Sequence, residues 1–246
     1  MMGEEEEVEI SAALLERLRD AKRVTVLTGA GVSAESGIPT FRGAGGIWEK
    51  YDFQKLATPW GFKEDPELVW EWYKLRQVEM KKAVPNPAHI VIASMAKYYQ
   101  AFRVLTQNID GMHQRAGSVD VVELHGSIWR MRCERDRTTI TLDAPVTEIP
   151  PLCQCGSIMR PDVVWFGEPL KPEILSVPLH DGLLLRGGAL LAGFRCTFLV
   201  LLASLGLGLL LIRQTATSEI GCNPPSQSNG SLEGILPHTL RYIKLL

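Results

Sequence analysis

The chain has 246 residues, a formal net charge of -2 and 46% hydrophobic residues, enough for one large globular domain or a domain carrying a small inserted module. With 26 basic against 28 acidic side chains, there is no basic excess to follow a phosphate backbone, so direct nucleic-acid binding is excluded as an expected role. Five cysteines, unevenly placed behind an acidic start that is neither a secretory nor a mitochondrial address, fit a reducing compartment, and the expected location is cytoplasmic.

Glu4 to Glu7, then Ile10, Ala13, Leu14 and Leu18 at helical spacing, then Arg17, Arg19 and Lys22, read as a surface helix with acids at its start and bases at its end. Val24 to Leu27 is a short β-branched run that stops at Gly29, the pattern of a buried parallel strand entering a glycine turn. Leu68 to Val78, with no Gly or Pro inside it, predicts a helix that Pro85-Asn86-Pro87 brings to an end. A further helix is expected over Ala88 to Tyr99, a second strand over Phe102 to Thr106 and a third over Val119 to Leu124. Polar loops follow the last two strands, and open α/β sheets place their ligands at such strand ends.

Gly29-Ala30-Gly31-Val32-Ser33-Ala34 fits the dinucleotide pattern G-x-G-x-x-G/A, in which the first Gly permits a tight turn, the second a close approach of pyrophosphate, and a small last residue close helix packing. Alone the pattern is weak, because G-x-G after a strand is often only a turn. No convincing ribose-binding acid follows at the usual spacing beyond the poor candidates Glu49 and Asp52.

Specificity comes from the longer blocks. Gly29 through Arg42 reads GAGVSAESGIPTFR, Thr106 to Asp110 reads TQNID, and His125-Gly126 follows the third strand. In order and spacing these resemble the three signatures of the sirtuin family, and the similarity covers about residues 8–172. The resemblance implies an α/β fold, a Rossmann-type parallel sheet with helices on both faces plus a small inserted zinc-ribbon and helical lobe, with NAD in the cleft between them. The expected domains are 1–128 with 163–176 as the NAD-binding part, carrying a helical insertion over about 38–98, and 129–162 as the small module.

The resemblance also implies roles. Gly29, Ala30, Gly31, Ala34, Phe41, Arg42 and Trp48 would line the NAD loop, with Phe41 shielding the reacting face. Gln107, Asn108, Ile109 and Asp110 would meet the ribose hydroxyls and the nicotinamide carboxamide. His125, whose ordinary pKa lies near neutrality, would be the base, with Asn108 as its partner in the catalytic set. It would draw a proton through the ribose hydroxyls once the acyl oxygen has displaced nicotinamide, leading to free lysine, nicotinamide and 2′-O-acyl-ADP-ribose.

Cys133, Cys153 and Cys155 fall where the family carries a four-cysteine structural zinc site, and Asp136 stands in place of the fourth cysteine. Tyr73 and Arg76, three apart on the expected helix, share a face. They resemble the Tyr-x-x-Arg of the sirtuin branch that removes acidic acyl groups, where a guanidinium can bind a distal carboxylate bidentately. Val163, Val164, Phe166, Gly167 and Glu168 would form the wall of the acyl-lysine channel and an edge for the substrate peptide; a plain buried strand over Val163 to Phe166 is the alternative, and the two are compatible.

After Glu173 the expected nucleotide loops are not recognisable, and only 8 of the 54 charged side chains lie beyond Ser176. Residues 177–246 read as a divergent apolar segment. The uncharged run Cys196 to Ile212 has 17 residues, about 25 Å as a helix, short of the roughly 30 Å hydrocarbon layer. A buried helix or strand pair is expected there rather than a membrane anchor, and a shifted reading frame near codon 176 would account for the change of character.

The expected function is that of an NAD-dependent protein-lysine deacylase, acting on acetyl-lysine and also on succinyl- or malonyl-lysine. Its partner would be an acylated protein or peptide, its co-substrate NAD and its structural metal zinc. The alternatives are a non-catalytic NAD- or ADP-ribose-binding module and a mono-ADP-ribosyltransferase. Oligomeric state is not legible.

Overall fold

The computed structural model describes position 12, residues 18–41 and 45–175, and the backbone of three short strands at 197–202, 209–213 and 244–245. Of the N-terminal helix expected from the sequence, positions 12 and 18–20 are described, all helical, and Leu18 is buried.

Strand β1 (Arg23–Thr28) runs parallel to β2 (Ala101–Thr106), and β2 runs parallel to β3 (Val121–Glu123). The β-branched and leucine-rich runs that suggested these strands are their buried cores, with Val24 and Val26 of β1 and Val104 of β2 nearly inaccessible. The strand expected over Val119 to Leu124 is shorter than that, because Val119 lies 95% exposed ahead of it.

The sheet has six strands in the order β3-β2-β1-β7-β8-β9, where β7 is Thr197–Leu202, β8 Leu209–Arg213 and β9 Lys244–Leu245. The parallel character stops at β1: β7 pairs with it antiparallel, and β8 and β9 continue antiparallel. Within the uncharged run, 197–202 and 209–212 lie in β7 and β8, which pair antiparallel. Among the described residues no helix is long and apolar enough to cross a membrane. The remainder of 177–246, and with it the idea of a shifted reading frame, lies outside the described residues.

Between β1 and β2 the chain makes a 3-10 helix (Ala30–Ser36) and five α-helices: α1 Ile47–Lys50, α2 Phe53–Leu56, α3 Pro59–Glu64, α4 Pro66–Lys82 and α5 Pro87–Met95. The longest, α4, extends the helix expected over 68–78 by two residues at its start and four at its end. Asp65 caps its start by accepting from Leu68 N at 2.9 Å, Pro66 occupies the first turn, where no backbone donor is needed, and Lys81 and Lys82 sit in its last turn. Its buried face carries Val69, Trp70, Tyr73, Arg76, Gln77 and Met80, the three-and-four spacing of an inward helical stripe. The helix expected over Ala88 to Tyr99 divides at Met95, where α5 passes into a short 3-10 turn at Ala96–Tyr98.

A second sheet of three strands, in the order β5-β4-β6, is antiparallel: β4 Gly126–Cys133, β5 Thr139–Thr141 and β6 Met159–Val163. This corrects one expectation: the strand foreseen over Val163 to Phe166 ends at Val163 and belongs to this small sheet, and 164–166 run on as loop. The reason lies in Gly126, at φ 78°, where an added Cβ would collide with the Asp162 carbonyl oxygen. Glycine there lets β4 and β6 close on each other, with Gly126 opposite Val163 as the last ladder pair.

The main core joins α4 to the segment 38–57, to Ile109 and Met112 after β2 and to the small sheet, with Trp70, Val69, Met112 and Ile128 at its centre. Trp70 Nε1 donates to Met159 O at 2.7 Å, and Gln77 Nε2 donates to Ile128 O at 2.8 Å. These two bonds tie α4 to β6 and β4, and so fix Tyr73 and Arg76 on the same helix relative to the loops after β4 and β6.

Candidate active site

The ends of β1 and β2 carry Thr28 and Thr106, opposite each other in register. Thr28 Oγ1 donates to Thr106 Oγ1 at 2.8 Å, and Asn108 N donates to Thr106 Oγ1 at 3.1 Å. The turn after β2 is thereby drawn back onto the strand ends, which brings Asn108 and Asp110 beside the glycine loop. Both are 4% exposed.

Ser33 links the two loops. Its hydroxyl donates to Asp110 Oδ2 at 2.7 Å and accepts from Asn108 Nδ2 at 3.2 Å. The second Asp110 oxygen accepts from Met112 N at 2.9 Å, at the start of the short helix α6 (Met112–Arg115). Burial raises the Asp110 pKa above the usual carboxylate range, and the Met112 and Ser33 donors oppose that rise.

Two buried histidines close the network from behind. His89 Nδ1 accepts from Asn86 N at 3.3 Å, so the ring proton sits on Nε2, 3.4 Å from Ser33 Oγ. His113 Nε2 lies 2.9 Å from Thr28 Oγ1, and the two rings meet edge to face at 4.9 Å. Burial depresses both, His89 to about 3 and His113 to about 4, so each is neutral at pH 7.

His125, between β3 and β4, is half-buried, and its Nδ1 lies 3.0 Å from the Gln107 carbonyl oxygen. A carbonyl only accepts, so Nδ1 carries the proton and Nε2 keeps its lone pair. Burial lowers the His125 pKa, which leaves a neutral imidazole whose free nitrogen can take up a proton. Val164 N donates to His125 O at 2.9 Å, joining the histidine to the loop after β6.

That loop is held by an internal clamp. Arg160 gives Nη1 and Nη2 to the two Glu168 carboxylate oxygens at 2.7 and 2.9 Å, and its guanidinium lies 3.5 Å over the Trp165 ring. Trp165 N donates to Glu168 Oε2 at 2.8 Å and Phe166 N to Ala57 O at 3.0 Å. Both Glu168 oxygens are thus engaged within the protein, whereas the Phe166 ring is 36% exposed. Val163 is buried, Val164 half-buried and Gly167 exposed.

On α4, Tyr73 and Arg76 are 3% and 5% exposed. Tyr73 Oη accepts from Trp165 Nε1 at 2.9 Å, and burial pushes its pKa up to about 12. The Arg76 guanidinium lies between the Phe41 and Trp72 rings, 5.3 and 5.2 Å from their centroids, and its Nε and Nη2 are buried without a hydrogen-bond partner. Such donors are rare and costly in a folded chain, and they mark a place where an acceptor belongs. Phe41 stacks on Trp48 at 5.7 Å and Trp48 on Trp72 at 5.6 Å, so the segment after the glycine motif packs on the same aromatic cluster.

The cysteine cluster lies at the far end of the small sheet. One ligand atom each from Cys133, Asp136, Cys153 and Cys155 fall within 4.8 Å of one another. Cys133 and Cys155 sulfurs are 3.5 Å apart, and Cys153 Sγ is 3.7 Å from Asp136 Oδ2, spacings that suit four donors around one tetrahedral zinc. Thr138 N donates to Asp136 Oδ1 at 2.9 Å and leads the contacts that hold this carboxyl well below the usual range. It is therefore ionised and ready to ligate.

The structure brings Gly29, Ala30, Gly31, Ala34, Gln107, Asn108, Ile109, Asp110 and His125 to one end of the β1-β2-β3 sheet, and Phe41, Trp48, Tyr73 and Arg76 into one aromatic cluster. Arg42 lies outside the described residues. Sequence reasoning missed Ser33, His89, His113 and Trp165. Ser33 lay inside the glycine block and Trp165 inside the 160–168 block, so both were in view. His89 and His113 carried no spacing signal.

The profile of the Sir2 family matches residues 29–181. The chain is 52% identical over 165 residues to "NAD-dependent protein deacylase 1" of Caldanaerobacter subterraneus subsp. tengcongensis, covering 66% of this chain and 68% of the relative. It is 57% identical over 157 residues to "NAD-dependent protein deacylase 2" of Pyrobaculum aerophilum, covering 63% of each. The matched part thus spans about two thirds of these relatives' lengths. Among solved structures it is similar to a Sir2 homologue in complex with NAD, at TM-score 0.61 and 44% identity, covering 69% of this chain and 67% of the other. It is also similar to a Sir2 variant with a deacetylated p53 peptide and 3′-O-acetyl ADP ribose, at TM-score 0.59 and 37% identity, covering 66% and 68%. With more than half of its length matched by the family profile and relatives at 50% identity or above, the chain belongs to the Sir2 family.

Proposed function

We propose that the chain is an NAD-dependent protein-lysine deacylase. The observation that carries this reading is His125: its Nδ1 proton is committed to Gln107 O at 3.0 Å, which leaves Nε2 as a basic nitrogen on a histidine anchored to the residue next to Asn108. NAD supplies the electrophilic ribose carbon that receives the acyl oxygen. Asn108 and Asp110 would hold the ribose and the carboxamide, and Ser33 and Thr106 would hold those two in turn. His125 Nε2 would take the proton passed through the ribose hydroxyls, and the loop from Val163 to Gly167 would give the peptide an edge to pair with. Zinc would cross-link β4 to the 153–155 loop through Cys133, Asp136, Cys153 and Cys155 and supply rigidity, not chemistry.

Acidic acyl groups are the favoured substrates in this reading. Arg76 supports it, being buried with two free donors and no carboxylate partner among the described residues.

The test is mass spectrometry of acetyl- and succinyl-lysine peptides incubated with the chain and NAD, with nicotinamide measured alongside. Release of nicotinamide that depends on the acylated peptide, with loss of the acyl group, is the expected result. Release without peptide favours ADP-ribosyl transfer, and binding without release favours a non-catalytic module.

A further inference from the structure

We propose that Trp165 sets the acyl preference of this site by fixing the direction in which the Tyr73 hydroxyl hydrogen-bonds. The proposal rests on the reading of Tyr73 and Arg76 as the subsite for the acyl tail. An indole N–H can only donate, and Trp165 Nε1 lies 2.9 Å from Tyr73 Oη with both groups buried. The phenol oxygen is therefore the acceptor of this pair, and its own proton is left to serve something else. Among the described residues nothing takes it.

One helical turn on, Arg76 adds Nε and Nη2, also without partners. The subsite is thus a cluster of donors framed by Phe41 and Trp72, and among the described residues it holds no hydrogen-bond partner for the Arg76 Nε and Nη2. A carboxylate at the end of a short acyl chain satisfies such a cluster, whereas an acetyl group leaves it unsatisfied. Without the indole donor, Tyr73 Oη would be free to accept from Arg76, and the two residues would then satisfy each other instead of a ligand. Trp165 is itself fixed by Arg160, whose guanidinium covers its ring at 3.5 Å, and by its backbone bond to Glu168. It acts through Tyr73, as a positioning residue.

The experiment measures kcat and KM of the full chain for one peptide carrying either acetyl- or succinyl-lysine, comparing Trp165→Phe with the unmodified protein. The loss of one directing hydrogen bond should lower the succinyl-to-acetyl ratio of kcat/KM by about 5-fold, mainly through the succinyl KM. An unchanged ratio, including an equal fall in both activities, overturns the proposal. Arg76→Met, run in parallel, separates the two levels: if it leaves the ratio unchanged, the subsite reading fails. If it lowers the ratio while Trp165→Phe does not, only the role of Trp165 fails. Should Trp165→Phe not fold, Tyr73→Phe takes its place, a lowered ratio supporting the donor role and an unchanged one overturning it.

Discussion

The imidazole of His125 is tied by its Nδ1 to the carbonyl of Gln107 at 3.0 Å, so the strand end that opens the nucleotide loop also decides which nitrogen of the histidine can act as a base. His125→Ala should lower deacylation on the order of 10²–10⁴-fold, with NAD binding largely kept, because a base acts on the transition state more than on the bound ground state. Steady-state kinetics and NAD titration check this together. Near-full activity in a clean preparation would remove His125 from the mechanism.

The burial-lowered pKa of His125 also sets the acid limb of the pH profile. A base must be unprotonated, so kcat/KM should hold steady from neutrality down through the ordinary histidine value near 6.5 and fall only at lower pH. A midpoint at or above 6.5 contradicts the assignment.

Ser33→Ala should cost more than a surface serine would. It removes the acceptor for Asn108 Nδ2 and the donor to Asp110 Oδ2, leaving two buried groups short of a partner, about 1–3 kcal/mol for each. We expect a raised KM for NAD and a lower melting temperature. Unchanged values of both would show that Asn108 and Asp110 are held without it.

His89 and His113 make stability fall on the acid side. Their folded pKa values, about 3 and about 4, lie below the unfolded value of roughly 6.5. The unfolded chain therefore binds more protons in between, and the stability present above pH 6.5 is lost as pH falls toward 4. At pH 5 this amounts to about 2 kcal/mol for each histidine. Urea midpoints at pH 7 and pH 5 measure the loss, and His113→Gln should flatten the difference by about half. An equal pH dependence in that variant refutes the account.

Asp136→Ala takes away one of four clustered donors. Zinc content by mass spectrometry should fall, and chelator should lower the melting temperature of the unmodified chain more than that of the variant. Equal zinc content in both proteins would show that Asp136 is not a ligand.

Much of this protein was legible in its sequence because the signals are local. The glycine block, TQNID and His125-Gly126 named the residues at the sheet end, and the apolar spacing of 68–78 placed Tyr73 and Arg76 on one helix face. Spacing encodes which residues share a face. It does not encode what that face meets. The partners that give the site its chemistry are far apart along the chain: Ser33 with Asp110, Tyr73 with Trp165, His125 with Gln107. Each pairing depends on how β1, α4 and the small sheet pack together. Burial decides the rest, since the same packing that leaves Arg76 Nε and Nη2 without an acceptor among the described residues consumes both oxygens of Glu168, which sequence alone assigned to the substrate. The sequence named the donors and acceptors. Only the fold determined which were already satisfied and which were left for a ligand, because a polar group's hydrogen-bonding capacity is spent by whatever the packing puts beside it.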